Sequence, residues 1–286
     1  MTNFREIIEY YKNNNYNKKD KGLKFERLIK TFLKTDEQYK TLFSDVWLWN
    51  EWEGNDNKPD TGIDIVAKEY EGNYWAIQCK FYDKGRLDKK DIDSFIAASG
   101  KYPFSKRMIV STTELGKNAE NEIKGQQIPI SQLSIDTIQN SLIDWSKFIP
   151  ENPESLTLKP KNSLRDYQQE ALENVIEEFK TNDRGKLIMA CGTGKTITGL
   201  RITEEILKNG GSAIVLAPSI ALISQNLREW TAQSTKPMKF FVVCSDSKVG
   251  IKDEDYSISD LAYPSTTNST ELLRQIENTK NNFLIH

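Results

Sequence analysis

The sequence predicts an α/β protein made of two domains in series: helices sandwiching a small mixed sheet, then a parallel-sheet unit opened by a glycine-rich loop. Three observations predict it. The chain has 286 residues, enough for two cores. Its first half runs helix, strand hairpin, helix, strand. Its second half places strand, glycine loop, helix and strand between Gly185 and Pro218, the signature of a βαβ unit.

The elements follow in order. Phe4, Ile7, Ile8 and Tyr11 recur at helical period, ahead of a polar Asn/Lys-rich loop. In GLKFERLIKTFLK, Leu23, Phe25, Leu28, Ile29, Phe32 and Leu33 make a broad apolar helix face. DVWLWNEW reads as a strand, and IDIVAKEY and NYWAIQCKF as two more, joined by an acidic turn containing Gly72. Ile92, Phe95 and Ile96 carry the next helix, RMIVSTTEL a short buried strand, and AENEIKGQQIPISQ a helix then a strand. The first domain is assigned to 1–147, with its core at about 22–130. Prolines and polar residues interrupt all periodicity over 148–163, which reads as a linker. From 164 to 286 come a helix (RDYQQEALENVIEEFK), a buried strand (GKLIMA), the loop and its helix, and a strand (GSAIVLAP); the closing NNFLIH reads as the start of another strand.

Composition excludes several functions. Lys and Arg balance Asp and Glu over residues 1–150 (23 − 23 = 0) and give 16 − 18 = −2 over the rest, so nucleic acid would be held by local patches. Cys79, Cys191 and Cys244 are odd in number and far apart, which argues against a disulfide framework or a zinc site. The one histidine is His286, so histidine catalysis is excluded. No apolar run reaches the roughly 18 residues of a membrane span, and the N-terminus lacks the apolar core of a signal peptide. A cytoplasmic protein without membrane partners is expected.

MACGTGKT, Met189 to Thr196, sits between a predicted strand and a predicted helix, where backbone amides converge on phosphate. Gly192 and Gly194 let the chain wrap closely, with Thr193 between them; Lys195 would neutralise β- and γ-phosphate charge and Thr196 would ligate Mg²⁺. Met189 replaces the usual first glycine of the pattern. With LRDYQQEAL upstream and VLAPSIALISQNLREW downstream, the region resembles the first RecA-like domain of superfamily 2 helicases and DNA translocases. The resemblance implies ATP as cofactor, Gln168 reading the adenine edge with support from Arg165, and Pro218, Ser219 and Gln225 close to a nucleic-acid backbone. No DExx box follows, and the second RecA-like domain is missing. A fragment of a longer protein is therefore expected, one that hydrolyses ATP poorly by itself.

In NYWAIQCKF, alternation places Gln78 and Lys80 on one strand face, and a hairpin can bring Asp64 opposite them. Charges in so apolar a setting need compensation, either by a shared metal or by an Asp64–Lys80 ion pair. PDTGIDIVA followed by AIQCK resembles the PD-(D/E)xK core of Mrr-like restriction endonucleases, over about residues 22–130. The resemblance implies a restriction-endonuclease-like α/β/α fold and Mg²⁺-dependent phosphodiester hydrolysis. Asp64 is then the main metal ligand, Gln78 an oxygen ligand or orienter, and the Cys79 carbonyl a further ligand, while Lys80 positions the attacking water. Gln78 stands where such sites usually have an acid, so Glu26, in GLKFERLI, is the candidate for the lost charge; its alternative is a helix pair with Lys30. Asp60 reads as a turn residue after Pro59.

A nuclease followed by a P-loop, RecA-like motor resembles the N-terminus of single-polypeptide, Type ISP-like restriction-modification enzymes. That resemblance implies double-stranded DNA as partner and further domains of the same polypeptide: the helicase remainder, methyltransferase and target recognition. A helicase whose N-terminal domain binds DNA without cutting it is the alternative.

Overall fold

The computed structural model describes residues 3–55, 62–124, 126–244 and 262–282. They divide into two units, one reaching to Lys159 and joined by 262–264, the other running from Pro160 to 244 and joined by the segment from Ser265. The boundary falls within 148–163, whose first part packs: Phe148 and Leu156 are buried, and Ile143 bridges to Leu158.

The first unit opens with α1 (Phe4–Asn13) and α2 (Lys18–Thr35), capped at their N-termini by the side chains of Asn3 and Asn17. A short α3 (Glu37–Lys40) follows, capped by Asp36. Five strands form one sheet in the order β1 (Phe43–Leu48), β2 (Ile65–Glu69), β3 (Tyr74–Lys80), β4 (Phe104–Ser111), β5 (Ile130–Leu133). β1, β2 and β3 pair antiparallel, and β3, β4 and β5 pair parallel. The parallel steps are crossed by α4 (Lys89–Ser99) and α5 (Lys117–Lys124), and α6 (Ile135–Gln139) follows β5.

Alternation sorts the core into two layers. Val66, Ala76 and Ile109 pack with Ile92 and Phe95 of α4 and Ala119 and Ile123 of α5. On the helix α1/α2 side an aromatic chain runs from Phe4 through Trp145, Phe32, Tyr39 and Phe43 to Trp75. The mixed sheet between helical layers is the expected α/β/α sandwich. A buried cation sits in it: the Arg107 guanidinium donates to the carbonyls of Ile96 and Ile128, and burial pulls its pKa down.

DVWLWNEW departs from expectation at its end. The strand stops at Leu48 and a 3₁₀ turn, Trp49–Glu51, takes over. Glu51 accepts from the Leu48 amide and holds Lys30, which fixes this turn onto α2.

The second unit contains α7 (Asp166–Glu178), α8 (Lys195–Ile206), α9 (Ile220–Gln233) and α10 (Ser269–Asn282). Glu204 of α8, 3% exposed, accepts from Arg201, from both Thr235 donors and from Ser234 Oγ. Burial pushes its carboxyl up, but these donors outweigh burial and hold it below the usual range. The expected strands over 185–190 and 211–218 are not formed: among the described residues neither pairs with a strand, and Ile188, Ile214 and Leu216 are exposed. A strand exists only by pairing, and consecutive parallel strands need not be neighbours, so an apolar run by itself does not make one. Of NNFLIH, residues 283–286 lie outside the described residues, as does Asp60. No helix among the described residues is long and apolar enough to cross a membrane.

Candidate active site and nucleotide loop

In the first unit, the antiparallel register pairs Ile65 with Ile77, so one step further Asp64 stands across from Gln78. The Asp64 backbone is pinned on both sides: its amide donates to Ile77 (3.0 Å) and its carbonyl accepts from Trp49 (2.8 Å). Asp64 Oδ2 accepts the Cys79 amide at 2.6 Å, a charge-assisted bond that fixes the carboxylate against β3.

Gln78 is fully buried. Its Nε2 donates to the Gly62 carbonyl at 3.0 Å, which orients the amide and leaves Oε1 without a hydrogen-bond partner among the described residues. A buried orphan oxygen beside a carboxylate suits a hard cation, because such an oxygen otherwise bears an uncompensated desolvation cost. Lys80 is half-buried at the end of β3, beside Ser111 of β4, and forms no ion pair among the described residues. The Cys79 thiol lies within the field of three site charges: burial pushes its pKa well up, the Asp64 and Glu26 carboxylates add to that, and Lys80 opposes. Asp64, Gln78, Cys79 and Lys80 therefore lie at one end of the sheet, with the Glu26 carboxylate within electrostatic range of the Cys79 thiol. Lys30, the partner that the alternative reading gives Glu26, is held by Glu51. Among the described residues no cluster of three or more His, Cys, Asp or Glu side chains forms, so a metal here would depend on the Gln78 amide and backbone oxygen.

In the second unit, Gly192 (φ +76°) and Gly194 (φ +79°) take the left-handed conformation that turns the loop into α8. Lys195 Nζ folds onto the carbonyls of Ala190 (3.1 Å) and Met189 (3.4 Å), and Thr193 Oγ1 bonds Ala190 O. The Thr193 carbonyl accepts from Gln168 Nε2 (2.8 Å) and Tyr167 Oη (3.1 Å). Gln168 Oε1 accepts the Arg165 amide at 2.9 Å, so both ends of this amide are used within the unit and a base would have to displace them. Arg165 reaches the Tyr167 hydroxyl at 3.3 Å. The Thr196 carbonyl accepts from Trp230 Nε1 at 3.1 Å, tying α9 to the loop. Ser219 caps α9, following Pro218, and Gln225 is exposed two turns in, bonded to Glu229. Sequence reasoning missed Tyr167 and Trp230. Tyr167 adjoins Gln168 and was open to notice; Trp230 lies 34 residues from its partner and had no local signal.

Residues 34–155 match a family described as restriction endonuclease, and residues 161–285 one described as Type III restriction enzyme, res subunit. The chain joins a restriction-endonuclease domain to a res-subunit, helicase-like domain. Among solved structures, the two-domain chain matches the ATP-dependent Type ISP restriction-modification enzyme LlaBIII bound to DNA, with 36% identity and a TM-score of 0.83. The match covers 98% of this chain and 18% of that one, so the restriction-endonuclease and res-subunit domains here span less than a fifth of that enzyme's length. A nuclease-deletion mutant of the Type ISP restriction-modification enzyme LlaGI, in complex with a DNA substrate mimic, is 37% identical over 42% of this chain and 11% of that one, with a TM-score of 0.35. No curated protein gives a significant match.

Proposed function

We propose that this chain is the nuclease and the beginning of the motor of a Type ISP-like restriction-modification enzyme: a Mg²⁺-dependent DNA endonuclease coupled to ATP-driven translocation on duplex DNA. One observation carries the nuclease reading. Gln78, fully buried, has an Oε1 with no hydrogen-bond partner among the described residues, on the strand register that sets Asp64 across from it and Lys80 two residues on. Asp64, Gln78 Oε1 and the Cys79 carbonyl would hold the ion, with Glu26 restoring negative charge that Gln78 does not supply. A bound Mg²⁺ lowers the pKa of water and offsets phosphate charge.

The chain's own residues do the rest. The Cys79 amide and the Gly62 carbonyl fix the two oxygen donors before substrate arrives, so little reorganisation is left for the reaction. Lys80, half-buried and without an ion pair among the described residues, orients the attacking water and balances charge on the phosphate as the bond to the leaving oxygen breaks. In the second unit the amides of 192–196 and Lys195 would cradle ATP phosphates, with Arg165 and Gln168 at the base and Thr196 at the metal. Pro218, Ser219 and Gln225 would lie along the DNA backbone.

The test is plasmid nicking in Mg²⁺. Asp64→Ala should lower it about 100-fold or more, the scale of several kcal/mol of lost transition-state stabilisation. Glu26→Ala should raise the Mg²⁺ needed for half-maximal nicking. Asp64→Ala nicking at the parent rate would sink the nuclease reading.

A further inference from the structure

The end of the sheet that carries Lys80 is flanked by cations that the proposed chemistry leaves unused. The chain leaves β3 at Lys80 and runs through Phe81, Tyr82 and Asp83, and the first two turns of α2 lie beside that segment. The junction is fixed by Phe25 against Phe81, with ring centroids 5.7 Å apart, and by Lys21 Nζ at 3.4 Å from Asp83 Oδ2. Lys18 Nζ stands 5.8 Å from the centre of the Tyr82 ring, and Lys24 Nζ 4.6 Å from that of Tyr16.

Over residues 16–24 and 81–86 the count is six cations (Lys18, Lys19, Lys21, Lys24, Lys84, Arg86) against two carboxylates (Asp20, Asp83), in a chain whose net charge is −2. Lys18, Lys19, Lys84 and Arg86 are exposed. Arg86 pairs with Glu114 at 3.2 Å, both side chains well exposed, so solvent screens that pair. The N-terminal dipole of an 18-residue helix adds positive potential at the same place. Basic side chains interleaved with aromatic rings, gathered where the rest of the chain is neutral to acidic, match a repeating phosphate polyanion.

We propose that this ridge binds the sugar–phosphate backbone of duplex DNA and leads a strand to Asp64 and Lys80. The inference rests on the nuclease reading for where the strand goes, but the contact itself is electrostatic. Phosphate contacts position a duplex without reading its bases, so the effect should be the same on any sequence.

The experiment titrates the 286-residue chain onto two fluorescein-labelled duplexes of unrelated sequence, in EDTA, by anisotropy across a salt series. For the Lys18→Ala/Lys84→Ala/Arg86→Ala triple variant, affinity should fall equally on both duplexes. Its log K against log salt slope should shrink by about 0.9 per lost phosphate contact. The Lys→Arg double variant at 18 and 84 should keep parental binding. Lys101→Ala, at the opposite end of the sheet before β4, should leave affinity and slope unchanged. The ridge is overturned if the triple variant keeps the parental slope and affinity, or loses affinity for one sequence only. Asp64→Ala, assayed for nicking on the same preparation, judges the nuclease reading separately, because the salt slope requires no cleavage.

Discussion

Gly62 has φ +92°, and a Cβ added there would lie 2.9 Å from Ser94 Oγ, 3.2 Å from the Phe95 amide nitrogen and 3.4 Å from Gln78 Nε2. An L side chain is strained in that region, and the Phe95 backbone cannot move aside without shifting α4. The Gly62 carbonyl also holds the Gln78 amide, so displacing it disturbs the orphan oxygen on which the proposed metal site depends. Gly62→Ala should therefore cost about 1–3 kcal/mol of stability and lower nicking at least about tenfold at a temperature where the protein stays folded. Gly72 is the comparison: φ is +90°, but nothing lies within 4 Å of an added Cβ. Gly72→Ala should lower the melting temperature while leaving nicking intact. Equal losses of nicking in both variants would show that strain alone, not the Gly62–Gln78 contact, sets the effect.

The elements differ in how far the chain announced them. α2, β2, β3 and α4 were legible because their apolar residues recur at 3.6 or 2 and their turns carry Asn, Asp or Gly. The convergence of Asp64 on Gln78 was legible too, since a hairpin of that length leaves few registers. The 185–190 and 211–218 runs were not, because pairing is a property of neighbours and not of the run. The Ser234 and Thr235 donors to Glu204, 30 and 31 residues away, carried no local pattern either. α3 shows a further hidden feature. Its cap, Asp36, is buried; burial pushes its carboxyl from 3.8 up to about 7, with the Gln38 and Tyr39 amides pulling the other way. Below about pH 4 both folded and unfolded chains hold this proton. Between about 4 and 7 the folded chain holds it while the unfolded chain has lost it, so stability falls as pH rises through that window and is level above it. Asp36→Asn keeps an oxygen for the α3 amides and cannot ionise. It should match the parent in stability near pH 4 and exceed it at pH 8, by no more than about 4 kcal/mol, the ceiling for three pKa units. Urea melts at the two pH values measure the difference, and an equal gap at both would exclude Asp36 as its source.

At the scale of the whole molecule, the residues named for each candidate site fall within one compact unit. Asp64, Gln78, Lys80 and Glu26 belong to the unit that ends at Lys159, and Arg165, Gln168 and 192–196 to the one that begins at Pro160. Each unit has buried side chains of its own: the two-layer apolar core around the five-stranded sheet in the first, and Leu200, Leu227 and the Glu204 network in the second. Sites built from different residues in separate compact units tend to perturb each other little. Two substitutions should therefore separate the activities in the same chain. Lys195→Ala removes the ammonium that would meet the β- and γ-phosphates, and should weaken binding of a fluorescent ATP analogue by about 100-fold, near 2.7 kcal/mol, while ATP-free nicking in Mg²⁺ stays at the parental rate. Asp64→Ala should do the reverse, abolishing nicking with nucleotide affinity unchanged. Loss of both activities in either variant, with melting curves like the parent's, would mean that the two sites are energetically joined and that this division by unit is wrong.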